Sequence, residues 1–303
     1  MNIIHTQDWF FTDSMEPRGY IESTELRELW FHTGTACNLA CPFCLEGSKP
    51  GDNRLERMTL DDVKPYVDEA ITLGVNQFSF TGGEPFVVRD FVNILSYAAK
   101  HRPCLVLTNG TKPVLNRAEA IKTLTECEHP ISFRISIDYP DEQRHDAGRG
   151  KDSYAQAWQG IKLLSDLGFK VSLARQMEKN EVFAEVDAAY RDLLKKYDLP
   201  EDLTIVAFPD FHAPNESVSV PVITESCMTT YQTADQRADY MCAFSKMLVK
   251  QDGEMRIYAC TLVDDDPRYG VTGTLKDSLN QKVMLNHHRC FSCFSQGASC
   301  SEI

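Results

Sequence analysis

The chain has 303 residues, a formal net charge of −13, 43% hydrophobic and 25% charged residues, the profile of one large α/β domain or of a domain with a smaller appendix. The acidic balance speaks against a broad phosphate-binding footprint, which needs clustered Lys and Arg, so nucleic acid is not an expected partner. Residues 1–20 lack the basic flank and apolar run of a signal peptide, and no apolar stretch is long enough to span a bilayer. The expectation is a cytoplasmic protein with no membrane partner.

Residues 1–24 read as an N-terminal extension. LWFH at 29–32 reads as a strand that leads directly into CNLACPFCLEG at 37–47. A helical stripe follows, with Val63, Val67, Ala70 and Ile71 on one face and Gly74 suited to its C-terminal end. QFSFTGG at 77–83 is the next strand, and Phe91, Ile94, Leu95 and Ala98 mark a helix. Strands continue at 104–110, 132–138, 170–176 and 203–208, with helical patterns at 118–127, 154–167 and 182–197 between them.

Six strands alternating with helices predict parallel βα repeats, either a doubly wound sheet or an incomplete barrel. Gly, Asn, Asp and Glu follow the apolar runs in TGGEP, TNG and SID, at the strand ends where such folds place ligands. SFRISID alternates, with Phe133, Ile135 and Ile137 on one face and Ser132, Arg134, Ser136 and Asp138 on the other. A buried parallel strand is normally apolar on both faces, so the polar face predicts a lumen that holds a polar ligand. Residues 209–224 carry three prolines and read as a linker. Beyond them, 247–260 reads as a hairpin turning at Asp252 and Gly253, and 269–281 as a turn and short helix. The boundaries are 25–215 for the βα region and 216–303 for linker and tail.

Eleven cysteines, an odd number, do not suit a disulfide framework in a reducing cytosol. Cys37, Cys41 and Cys44 lie at the front, and Cys242, Cys260, Cys290, Cys293 and Cys300 crowd the tail. Cys104, Cys127 and Cys227 are isolated, and the first two suit buried packing. A CxxxCxxC loop after a strand can hold three corners of a 4Fe–4S cube and leave the fourth iron open. Zinc is the competitor, with His32 as the nearby additional ligand.

Cys37-Asn-Leu-Ala-Cys41-Pro-Phe-Cys44 resembles the signature of the radical S-adenosylmethionine (SAM) enzymes, with Phe43 as the aromatic residue before the third cysteine. Thr81-Gly82-Gly83-Glu84-Pro85, Thr108-Asn109-Gly110, Ser136-Ile137-Asp138, His145-Asp146 and Arg149-Gly150 fall where this family keeps its cofactor motifs. The resemblance implies a partial (β/α)6 TIM-like barrel whose cluster is held by Cys37, Cys41 and Cys44. It implies SAM contacts from Phe43 along the adenine, from Thr81, Gly82, Gly83 and Glu84 at the amino end, and from Asn109, Ser136, Asp138 and Arg149. Ser136 and Arg149 are the implied carboxylate partners. Arg175 is a further candidate cofactor or substrate contact, and Asp210, His212 and Tyr231 are polar residues placed to touch substrate. In the family, the reduced cube passes one electron to the sulfonium, yielding methionine and a 5′-deoxyadenosyl radical that abstracts hydrogen.

The tail resembles the family's twitch or SPASM extensions, in which a hairpin and short helix carry auxiliary 4Fe–4S clusters. Cys242, Cys260, Cys290 and Cys293 match the one-cluster form. A rival arrangement uses Cys290, Cys293 and Cys300 and leaves an open iron, and a structural zinc is a third possibility. A fully ligated auxiliary cluster implies net oxidation or bond formation, with the cluster accepting an electron. Alternatives are epimerisation with Cys227 as hydrogen donor, peptide maturation, and an iron–sulfur electron carrier or scaffold. Thirty-six residues precede Cys37, too few for the family's leader-peptide module, so the expected substrate is a small molecule rather than a peptide. A flavodoxin or ferredoxin is the expected reductant.

Overall fold

The computed structural model describes residues 6–209, 211–212, 216, 218–271 and 273–297. Its strands are β1 (Tyr20–Ser23), β2 (Glu28–His32), β3 (Gln77–Thr81), β4 (Cys104–Thr108), β5 (Ile131–Ser136), β6 (Lys170–Gln176), β7 (Ile205–Phe208), β8 (Ser245–Gln251), β9 (Glu254–Tyr258), β10 (Gly270–Val271) and β11 (Gln281–Met284). Strands β2 to β7 pair with one another in sequence order and all in parallel. That order, without the reversal of a doubly wound sheet, is the expected open βα repeat.

The alternation in each strand decides which face goes where. Phe31, Phe78, Phe80, Val106, Phe133, Ile135 and Leu173 join one buried cluster with Val67, Ile94, Trp158, Ile161 and Leu194 from the crossover helices. The opposite face is polar at its base, where Glu28 accepts from Ser79 Oγ at 2.5 Å and from Gln77 Nε2 at 2.9 Å. Arg134 is 1% exposed on that same face, over the Phe208 ring at 5.9 Å. The helix-facing side therefore forms the core, and the other side forms a lumen.

The tail does not fold as a detached sheet. β8 pairs in parallel with β2 and antiparallel with β9, giving a continuous order β10-β9-β8-β2-β3-β4-β5-β6-β7. Asp252 and Gly253 make the hairpin turn with φ of 56° and 76°, the left-handed pair that a tight two-residue hairpin needs. The N-terminal segment is tied to the tail as well: β1 pairs antiparallel with β11, and Gly19 N–H donates to Ile223 O at 2.9 Å. Cys104 is buried at the start of β4, and half-buried Cys127 packs against the same core. Among the described residues no helix is long and apolar enough to cross a membrane.

Candidate active site

The loop after β2 carries Cys37, Cys41 and Cys44, all half-buried. Cys44 N–H donates to Cys41 O at 3.2 Å and Gly47 N–H to Cys44 O at 3.0 Å, so the loop turns back on itself. The three cysteines line a cavity of about 210 Å³ at the C-terminal ends of the parallel strands. Its walls also contain Phe43, Thr81, Gly82, Gly83, Asn109, Ser136, Asp138, Arg149 and Arg175. Residues from the ends of β3, β4, β5 and β6, from the cysteine loop and from the helix Glu142–Arg149, spread over 139 positions from Cys37 to Arg175, thus meet in one place.

Close backbone approach explains the glycines. Gly83 N–H donates to Gly34 O at 2.9 Å, and a Cβ at position 83 would lie 2.5 Å from Ala36 O and 2.7 Å from Thr35 O. Only glycine lets the end of β3 lie flat against the start of the cysteine loop. Gly148 does the same for an aromatic ring, since a Cβ there would sit 2.5 Å from the Phe43 ring.

Glu84 does not line the cavity. Its carboxylate is fully buried and accepts from Phe86 N–H at 3.0 Å, Asn109 N–H at 2.8 Å and Thr108 Oγ1 at 2.8 Å. It fastens the ends of β3 and β4 together, and burial raises its pKa despite these donors. Asn109 reaches the other way, its amide donating to Asn38 Oδ1 at 3.0 Å inside the cysteine loop. Asn38 in turn donates to Thr111 Oγ1 at 2.9 Å.

Arg149 and Asp138 form a two-pronged ion pair, with Nη2 to Oδ1 at 3.0 Å and a second bond from Nε to Oδ2. The guanidinium lies 5.8 Å from the centre of the Phe43 ring. Asp146, of the His145-Asp146 pair, is structural: it accepts from Asp152 N–H at 2.7 Å, Tyr154 N–H at 2.8 Å and Ser153 Oγ at 3.1 Å, holding the start of helix Ser153–Asp166. Arg175 lines the cavity with its guanidinium paired to Glu181, at 2.6 and 2.9 Å. His32 is not open to a metal, because Nε2 meets Glu46 at 3.0 Å and Nδ1 accepts from Gly34 N–H at 3.3 Å.

Cys227 is not brought to this cavity. It lies in the first turn of the short helix Glu225–Thr230, its N–H donating to the capping Thr224 Oγ1 at 3.3 Å, and packs against the tail core, so the hydrogen-donor expectation has no geometric support. His212 faces Glu216 at 3.9 Å, and Tyr231 is 69% exposed. Asp210 and Cys300 lie outside the described residues.

A second, smaller and mostly apolar cavity is lined by Cys242, Cys260, Cys290 and Cys293 together. Leu262 lines both cavities. Two polar groups here are not evident in the sequence patterns. Tyr240 lines the second cavity, and its buried hydroxyl has no hydrogen-bond partner. Lys246, 1% exposed on β8, donates to Ser245 O at 3.0 Å and contacts Cys242 O at 3.5 Å, and burial lowers it to about 8. The one signal for Lys246 is a charge immediately before the apolar run Met247–Val249 of β8.

Burial pushes the thiols of Cys37 and Cys290 up to about 12 and that of Cys242 well above its ordinary value. Cys41 is also raised by burial, with Arg149 opposing. Bare thiolates are therefore disfavoured in both cavities, and bonding to iron would supply the missing positive charge. Among the described residues, no three Cys, His, Asp or Glu side chains converge closely enough to chelate a single ion.

The model of the Radical SAM superfamily matches residues 31–192, just over half the chain. The subtilosin biosynthesis protein AlbA of Bacillus subtilis, described as serving an antilisterial bacteriocin, is 38% identical over 147 residues, covering 48% of this chain and 32% of AlbA. The mycofactocin maturase MftC of Mycolicibacterium smegmatis is 30% identical over 167 residues, 53% of this chain and 41% of MftC. The match thus spans less than half the length of these relatives. Streptococcus suis SuiB, solved with its precursor peptide SuiA, superposes with a TM-score of 0.61 at 16% identity, over 86% of this chain and 66% of SuiB. SuiB bound to S-adenosylmethionine gives 0.57 at 15% identity, over 82% and 63%. At these identities the likeness is one of fold.

Proposed function

The chain belongs to the radical SAM superfamily, whose members use a 4Fe–4S cluster and SAM, and we propose that it oxidatively modifies a peptide substrate with help from a second cluster. The observation that carries this reading is the single cavity in which three cysteines meet the Gly82-Gly83 edge, Asn109, Ser136 and Arg149. Cys37, Cys41 and Cys44 would hold the cluster, and bound SAM would supply the 5′-deoxyadenosyl radical. The cavity-lining, half-buried segment Thr81–Gly83 would take the amino end of SAM, and Ser136 and Arg149 its carboxylate. Asp138 would hold the Arg149 fork in place, and Phe43, seated against Gly148, would flank the adenine. Glu84 acts from below, keeping the two strand ends in register.

Cys242, Cys260, Cys290 and Cys293 would ligate an auxiliary 4Fe–4S cluster in the twitch or SPASM manner. Four cysteines lining one void support such a cluster. With four ligands the cluster would have no open iron, and Leu262, which lines both cavities, supports a location beside the substrate cavity, where the cluster would serve as an electron acceptor. A flavodoxin or ferredoxin would feed the front cluster.

The peptide assignment rests on the names of AlbA and MftC, a bacteriocin biosynthesis protein and a maturase. The small-molecule expectation comes from the thirty-six residues before Cys37, and where the sequence begins carries no such conclusion when the match spans less than half of these relatives' length. The test is a deuterated extract of the producing organism, split by size and given to the reduced protein with unlabelled SAM. Deuterium should appear in 5′-deoxyadenosine with the peptide fraction and vanish after proteolysis of that fraction. Label that survives proteolysis and follows the small-molecule fraction would overturn the assignment.

A further inference from the structure

Arg289 sits immediately before Cys290 in the helix His288–Gln296 and is 1% exposed. Its guanidinium holds three separate loops through their carbonyls. Nη2 donates to Leu45 O at 2.6 Å, one residue after Cys44, and to His212 O at 2.9 Å. Nη1 donates to Leu262 O at 3.2 Å, two residues after Cys260. The side chain also lines the four-cysteine cavity, and its Nε–H is buried with no acceptor. A buried, unbonded donor on a cation is expensive unless something is there to accept it.

From this geometry we propose that Arg289 is a positioning residue linking the two cluster sites. It locks the Cys44 loop to the auxiliary cysteines, and its charge and free Nε–H raise the reduction potential of the auxiliary cluster. The inference rests on the auxiliary-cluster reading above. Reduction adds one negative charge to a site that already holds four thiolates. A fixed cation in a low-dielectric wall favours that added charge, and a donated hydrogen bond favours it further. The three carbonyl bonds keep the guanidinium from turning away, so the effect is built in before any electron arrives. Lysine keeps the charge but has no counterpart to the Nε–H, whereas glutamine loses the charge, the larger of the two contributions, and keeps only a neutral amide N–H at that position.

The experiment is a potentiometric EPR titration of the reconstituted full chain and of its Arg289→Gln and Arg289→Lys variants, with iron content measured on each sample. The auxiliary midpoint should move to more negative potential in both variants, further in Arg289→Gln than in Arg289→Lys. The midpoint of the front cluster should move less. If Arg289→Gln fails to load both clusters, Arg289→Lys decides alone, and its midpoint must still be lower than that of the wild type. Variant midpoints equal to the wild-type value, with both clusters loaded, would overturn the inference. A wild-type protein holding only about four irons per chain would instead overturn the auxiliary-cluster reading, and this proposal with it.

Discussion

Asp138 shows how little of a residue's task its motif reveals. In sequence it ends an alternating strand and reads as a ligand contact. In the structure it grips Arg149 with both oxygens and is itself nearly buried. Asp138→Asn should leave a buried guanidinium without its counter-charge, at a cost of about 3 kcal/mol in stability. It should also weaken SAM binding, to be read by thermal unfolding and by equilibrium dialysis. Gly83 is a sharper case. Gly83→Ala forces a methyl into two backbone carbonyls that cannot swing aside, so a loss of about 2 kcal/mol and reduced iron loading are expected. Unfolding curves and iron analysis check it. Thr81, Asn109 and Ser136 are legible because each closes an apolar run, whereas Phe43 and Arg149 are implied only by the family resemblance. Cys227 misled because an isolated cysteine carries no signal of which wall it faces.

At the scale of elements, the helix Ser153–Asp166 depends on a residue outside itself. Asp146 supplies the acceptors that its first turn lacks, so Asp146→Ala should cost about 1 kcal/mol by chemical denaturation, with the cluster sites intact. Its neighbour His145 is buried against Tyr154 at 5.5 Å between ring centres, with neither nitrogen bonded. Burial, aided by the Arg149 charge, lowers it from 6.5 to about 4. The unfolded chain therefore binds a proton that the folded chain refuses. This contribution to stability is present in full above pH 6.5 and is lost as pH falls from there to about 4. His145→Gln should flatten the fall in melting temperature across that window, and an unchanged slope would contradict it. Strand and helix periods were readable along the βα region because each element buries one face against its sequence neighbour. The pairing of β1 with β11 was not readable. It joins residues 20–23 to 281–284, and no local pattern encodes a partner that distant.

For the whole molecule, the tail was expected as a separate appendix and is instead a continuation of the barrel sheet through β8. A hairpin's own sequence specifies its turn and alternation but not the edge it joins, so the boundary drawn at residue 216 marks a change in composition and not a break in the sheet. The continuity sets the four-cysteine cavity against the three-cysteine cavity with Leu262 shared between them. On the proposed reading, that placement would divide the labour: cofactor cleavage at the front, electron acceptance behind. The most direct test is 5′-deoxyadenosine formation by the anaerobically reconstituted, reduced protein given SAM. Wild type should form it, a variant with Cys37, Cys41 and Cys44 all changed to Ala should form none, and Cys242→Ala with Cys260→Ala should still cleave SAM while losing about four irons. No 5′-deoxyadenosine from the wild type, or undiminished formation without the three front cysteines, would contradict the account.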